Sequence, residues 1–169
     1  NKIVGQLQEK GSIVTIANYL QVLDESNLLA GIQKFAGDIA RQYQSTPKFQ
    51  VFNNALLSAY QGHGMDKEMM NPERWGRWVE SAVGSHLLNN AEEDEYSVYY
   101  WRERDAEVDY VLQFRDGQTL AIEVKTGRRS DNKLLHIFED KFHPNKRLIV
   151  GKDAMPFDVF FHSLPSQLL

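Results

Sequence analysis

Apolar and polar positions change period several times along the chain. Ile3, Val4 and Leu7 carry helical spacing as far as a break at Gly11-Ser12, and Thr15, Ile16, Tyr19, Leu20 and Leu23 resume it at intervals of three and four residues. Asn27 closes this second helix. Leu28 to Phe35 and Pro47 to Phe52 then predict two strands separated by a polar loop, and Asn54 to Tyr60 a short helix. Helix, helix, strand, loop, strand is the element order of a winged helix. The polar, glycine-containing stretch from Gln61 to Asp66 predicts a connection, so the chain divides near residue 65 into an N-terminal unit (1–65) and a C-terminal unit (66–169).

The second unit opens on a long helix. Pro72 suits a first turn, and Trp75, Trp78, Val79, Ala82, Val83, His86 and Leu87 form a stripe with Glu80 beside it. After the acidic run Glu92-Glu93-Asp94-Glu95 come three β-prone stretches, Ser97 to Arg102, Glu107 to Phe114 and Thr119 to Lys125, with Asp116-Gly117 marking the turn between the last two. Asp131 to Phe142 predicts a helix and Arg147 to Val150 a final strand. The predicted class is α/β (α+β): a winged helix followed by a sheet flanked by helices.

Candidate chemistry sits on the paired strands. Glu107-Val108-Asp109-Tyr110 is followed, after ten residues, by Ala121-Ile122-Glu123-Val124-Lys125. Side chains alternate along a strand, so Glu123 and Lys125 share one face and Ile122 and Val124 the other. On the preceding strand Val108, Tyr110, Leu112 and Phe114 take the apolar face and Asp109 the opposite one. If the even positions of both strands share the core, Asp109 joins Glu123 and Lys125. That requires paired residue numbers to sum to an even value, hence an odd hairpin loop, for example Asp116-Gly117-Gln118, or a bulge; a two-residue Asp116-Gly117 turn would break the site.

Two carboxylates there suit a hard cation, Mg²⁺ or Mn²⁺, whose bound water becomes a nucleophile for phosphorus, with Lys125 orienting that water and stabilising developing negative charge. Glu80 would complete the group if its helix packs across the sheet. Arg102, Arg104, Arg128, Arg129 and Lys133 flank the site in sequence, as phosphate contacts or as a solvated rim, with Arg128 and Arg129 immediately after the Glu-x-Lys strand.

Composition narrows the options. The 169 residues are 42% hydrophobic and 11% aromatic, enough for one sizeable core or two small ones, and contain no cysteine, which removes disulfides and thiolate-bound zinc. No run of about 18 apolar residues and no signal peptide is present, so a cytoplasmic protein without a membrane partner is expected. The formal charge is −4, against a globally basic nucleic-acid binder, although acids at a metal site and bases along a groove would average out. The start at Asn1, directly into helical spacing, suggests a piece of a longer protein.

The chain resembles, over nearly its whole length, the conserved domain of unknown function that follows an AAA-type ATPase domain in many bacterial and archaeal proteins. The match runs through Thr15-Ile16-Ala17-Asn18-Tyr19-Leu20, Gly76-Arg77-Trp78-Val79-Glu80, Tyr100-Trp101-Arg102, Glu107-Val108-Asp109-Tyr110 and Ile122-Glu123-Val124-Lys125-Thr126-Gly127. The resemblance implies a winged helix before a restriction-endonuclease-like PD-(D/E)XK module, Glu80, Asp109, Glu123 and Lys125 as its site, and an upstream ATPase. ATP would act only through that upstream domain, because no Gly-x-x-x-x-Gly-Lys-Ser/Thr loop occurs here.

Two functions are expected to compete: a Mg²⁺- or Mn²⁺-dependent phosphodiesterase on DNA, or a non-catalytic module of the same fold that binds DNA or holds an ATPase assembly together. The helix Thr15 to Glu25 offers Gln21, Asp24 and Glu25 but no cation, which favours packing over DNA reading for the N-terminal unit, with Lys34, Arg41 and Lys48 as counterweight. Trp75, Trp78 and Trp101 are expected in the core rather than stacked on bases. The five histidines show no paired ligand spacing. Oligomeric state is left open, a homo-oligomer included.

Overall fold

The computed structural model describes residues 13–37, 45–61, 64–127 and 133–169. The helix expected from Lys2 to Glu9, Arg41, Arg128, Arg129 and the cap at Asp131 lie outside the described residues, as does the side chain of Lys133. Helix α1 (Ile13–Glu25) leads into strands β1 (Leu29–Lys34) and β2 (Lys48–Val51), then helices α2 (Asn54–Gln61), α3 (Met65–Met69) and α4 (Pro72–Asn90). Strands β3 (Tyr96–Glu103), β4 (Ala106–Phe114) and β5 (Thr119–Lys125) are followed by α5 (Lys133–Phe142), β6 (Lys146–Gly151), α6 (Phe157–Phe161) and a 3₁₀ turn (Pro165–Leu168). Asn71 caps α4 by accepting the Arg74 N–H at 3.0 Å, with Pro72 at the first helical position.

All six strands form one mixed sheet in the order β2-β1-β3-β4-β5-β6. β3, β4 and β5 are successive antiparallel neighbours, and β6 returns parallel to β5. β1 pairs antiparallel with β2 and parallel with β3, so the two strands expected in a separate N-terminal unit extend the sheet of the C-terminal one. The stretch expected as a connection, Gln61 to Asp66, runs at its end into the short helix α3, whose Glu68 accepts the Trp78 indole N–H at 3.1 Å.

Both faces of the sheet are covered. Under α4, Val83 and Leu87 pack with Tyr110, Leu112, Leu120, Ile122, Val150 and Phe160; on the other face, Phe138 of α5 packs with Phe35, Trp101, Val108, Val111 and Ala121. Trp101 and Phe138 meet edge to face, 5.2 Å between centroids, an arrangement that adds about 0.5–1.5 kcal/mol beyond area burial. Trp78 and Trp101 are core residues as expected, whereas Trp75 is half-buried beside an apolar groove.

Two glycines let layers approach. A Cβ on Gly84 of α4 would lie 2.3 Å from the Tyr110 hydroxyl, and one on Gly151 would lie 2.0 Å from the Lys125 carbonyl oxygen. Gly84→Ala should therefore lose about 1–2 kcal/mol, an overpacking cost partly offset by helix propensity, and Tyr110→Phe in the same chain should recover part of that loss in a double-mutant cycle. Gly151→Ala meets rigid backbone instead of a side-chain end. It should lose about 3 kcal/mol, seen as a lower urea midpoint at unchanged slope.

Candidate active site

The register between β4 and β5 decides where the acids go. Tyr110 pairs with Ile122, Val111 with Ala121 and Gln113 with Thr119, so paired numbers sum to an even value, as the site requires. The Phe114 N–H bonds to the Gln118 carbonyl and Gly117 N–H to the Phe114 carbonyl, which makes the loop Arg115-Asp116-Gly117 rather than Asp116-Gly117-Gln118. Gly117 takes φ 87°, a backbone conformation open to glycine at no steric cost.

A second irregularity shapes the site. Tyr99 pairs with Val111 but Trp101 with Val108, so Tyr100 on β3 opposes both Asp109 and Tyr110 on β4: a β-bulge. The bulge puts Val108 on the α5 face with Val111, which corrects the simple alternation that grouped Val108 with Tyr110 and Leu112. Both faces of β5 are apolar in mid-strand, with Ala121 under α5 and Ile122 under α4, so the charged residues of the odd face, Glu123 and Lys125, stand together at the strand's end.

β4 and β5 part company beyond Tyr110 and Ile122, while β5 stays paired with β6 as far as Lys125 and Gly151. In the gap the Asp109 carboxylate accepts the Val124 N–H at 2.8 Å, where no ladder partner on β4 is paired with Val124. Burial, then the negative charge of Glu80, pushes the Asp109 carboxyl up to about 7 from its ordinary 3.8, against the opposing pull of the Val124 N–H, Lys48 and Lys125. Glu123 is buried, 3% exposed, with Oε1 2.5 Å from Lys125 Nζ.

Glu80 reaches the same end of the sheet from α4. Gly76, one turn earlier, would carry its Cβ 3.4 Å from Thr126 Oγ1, so the start of this helix lies over the end of β5. The Tyr110 hydroxyl lies 2.9 Å from the Glu80 carbonyl and 3.0 Å from Gln50 Oε1, and Gln50 donates to the Ser81 carbonyl at 2.8 Å. This network ties β2, α4 and β4 together. Glu80 Oε1 is 2.5 Å from Lys48 Nζ, which also lies 3.3 Å from the Asp109 carbonyl and 4.7 Å from the Tyr110 ring centroid. Two ion pairs, Glu80–Lys48 and Glu123–Lys125, thus flank the Asp109 carboxyl, on which both ammonium groups act electrostatically.

Lys48 and Gln50 are the site residues that hydropathy misreads. On the four-residue strand β2, pattern alone buries Phe49 and exposes its neighbours, yet Phe49 is 38% exposed and Gln50 4%. Their polar ends find partners under α4, which overrides the alternation rule. Arg102 is exposed on β3, with Nε 3.8 Å from Glu107, and Arg104 is exposed at φ 54°.

Residues 75–166 match the model of a protein family described as a domain of unknown function, DUF4143. The chain belongs to the DUF4143 family. The DUF4143 segment contains Glu80, Asp109, Glu123 and Lys125, together with α4 beyond its first turn, β3–β5, α5 and β6, but neither Lys48 nor Gln50. Among curated proteins and among solved structures nothing matches the chain.

The donor chemistry of this DUF4143 site fits a hard cation in part. Every candidate donor is a carboxylate oxygen, and the mutual repulsion of Asp109 and Glu80 is what a cation would relieve. Among the described residues no group of three or more histidines or carboxylates is gathered closely enough to hold a metal ion together. Two clefts, about 440 Å³ beside Glu95 and Arg115 and about 410 Å³ beside Trp75 and Phe161, hold none of these carboxylates. No described helix is long and apolar enough to cross a membrane.

Proposed function

We propose that this chain is a metal-dependent phosphodiesterase module acting on DNA and the C-terminal part of a larger AAA-type ATPase. The observation that carries the reading is the even register of β4 against β5 together with the Val124–Asp109 bond: they bring Asp109 to the end of the strand that holds Glu123 and Lys125. The order α4-β3-β4-β5-α5-β6, three antiparallel strands and a parallel fourth after a helical crossover, supports a restriction-endonuclease-like core.

Asp109 and Glu123, with Glu80 as a further donor, would hold Mg²⁺ or Mn²⁺. When bound, such an ion supplies a water of lowered pKa and compensates charge on a phosphate. Lys125, paired with Glu123, would stabilise negative charge developing on phosphate oxygens. Arg102, Arg128 and Arg129 are proposed as contacts to the DNA backbone, and β1–β2 as a packing element in place of a DNA-reading wing, because β1 is built into the sheet.

One observation favours a second reading, a non-catalytic module for DNA binding or ATPase assembly: Lys48 and Lys125 already neutralise Glu80 and Glu123. Incubation of labelled single-stranded, double-stranded and branched DNA with the chain, in Mg²⁺ or Mn²⁺ and in EDTA, separates the two. Metal-dependent cleavage is expected; silence on every substrate, with full-length protein and ATP also silent, favours the second reading.

A further inference from the structure

Lys48 comes from β2, outside the family-matching segment, and its ammonium is held against the Glu80 carboxylate beside the Asp109 backbone. Three contacts fix it: Glu80 Oε1 at 2.5 Å, the Asp109 carbonyl at 3.3 Å and the face of Tyr110 at 4.7 Å. An ammonium and a divalent cation seek the same carboxylate oxygen, and they cannot both occupy it. The two ion pairs of the site differ in their freedom to open. Glu123 is 3% exposed in its pair with Lys125, whereas Lys48 and Glu80 are 21% and 32% exposed, so the Lys48 head has solvent to withdraw into on its flexible stem.

We infer that Lys48 is a built-in counter-ion of the site: it holds the Glu80 carboxylate in the cation-free protein and releases it when a divalent cation binds. The inference rests on the metal-dependent reading above and adds a regulation to it. Cation affinity is set by the ammonium that must leave as well as by the carboxylates that bind, and the strand pair β1–β2 is the element that supplies the competitor.

The test is titration of the full chain with Mn²⁺ by calorimetry, on the parent, Lys48→Met, Lys48→Arg, Glu80→Gln and the double variant Lys48→Met/Glu80→Gln. Methionine keeps the stem against Tyr110 and removes the charge. Lys48→Met is expected to bind Mn²⁺ on the order of tenfold more tightly than the parent, Lys48→Arg close to the parent, and the double variant no more tightly than Glu80→Gln alone, because the gain comes through Glu80. Unchanged or weaker binding by Lys48→Met, or a gain that survives in the double variant, overturns the counter-ion role while leaving metal dependence standing. Failure of both parent and Lys48→Met to bind Mn²⁺ removes the role and the metal-dependent reading together. Should Lys48→Met not fold, the parent itself decides: the Lys48 side-chain resonances should move to solvated-lysine positions as Mg²⁺ saturates, and signals that stay fixed at saturation overturn the inference.

Discussion

Glu123→Ala and Lys125→Ala should each lower Mg²⁺-supported DNA cleavage by about 10²- to 10³-fold, the range for removing one group that stabilises charge in a transition state. The two losses should not add, since each residue is held by the other at 2.5 Å. They differ in stability. Lys125→Ala leaves Glu123 buried without that ammonium and should cost on the order of 2–3 kcal/mol, less than for a fully buried pair because Lys125 is one-third exposed. Glu123→Gln keeps the shape, so loss of cleavage in a variant that unfolds like the parent separates chemistry from folding. Parent-like cleavage by either alanine variant would remove these residues from the site.

The second large effect is a pH dependence of stability. Asp109 titrates near 7 in the folded chain, against an ordinary 3.8, chiefly because it is buried and secondly because Glu80 is close. Between about pH 4 and about pH 7 the folded protein therefore retains a proton that the unfolded chain has released. The contribution to stability is full at the acid end and is lost as pH rises through about 7, on the order of 3–4 kcal/mol in all. Asp109→Asn keeps an oxygen for the Val124 N–H but carries no charge. The variant should be more stable than the parent at about pH 8, nearly equal to it at about pH 4, and inactive. Urea midpoints across that range check this; the same slope in both proteins would show that the Asp109 carboxyl does not control it.

How much of this was legible in the sequence differs by layer. The strands after the acidic run were readable because many of their apolar residues are β-branched or aromatic and Asp116-Gly117 punctuates them, and the parity argument found the even register between β4 and β5. The bulge was not readable, because nothing local to Glu107-Val108-Asp109-Tyr110 marks a break in alternation; it takes the pairing with Tyr100 to show it. Lys48 and Gln50 were hidden for a different reason: their polar partners, Glu80, Ser81 and Tyr110, are more than 29 residues away, and a pattern rule sees only neighbours. The placing of β1 beside β3 is likewise a long-range parallel pairing, invisible to periodicity.

That placing bears on where the protein can be cut. β1 covers the flank of β3 at Tyr99 and Tyr100 and carries β2 on its far side, and a chain trimmed to residues 75–166 would bare the N–H and C=O groups of that flank. A naked edge of this kind is a template for a second copy. Dimers or aggregates of the trimmed chain would then report a severed sheet, not an assembly that the whole protein forms.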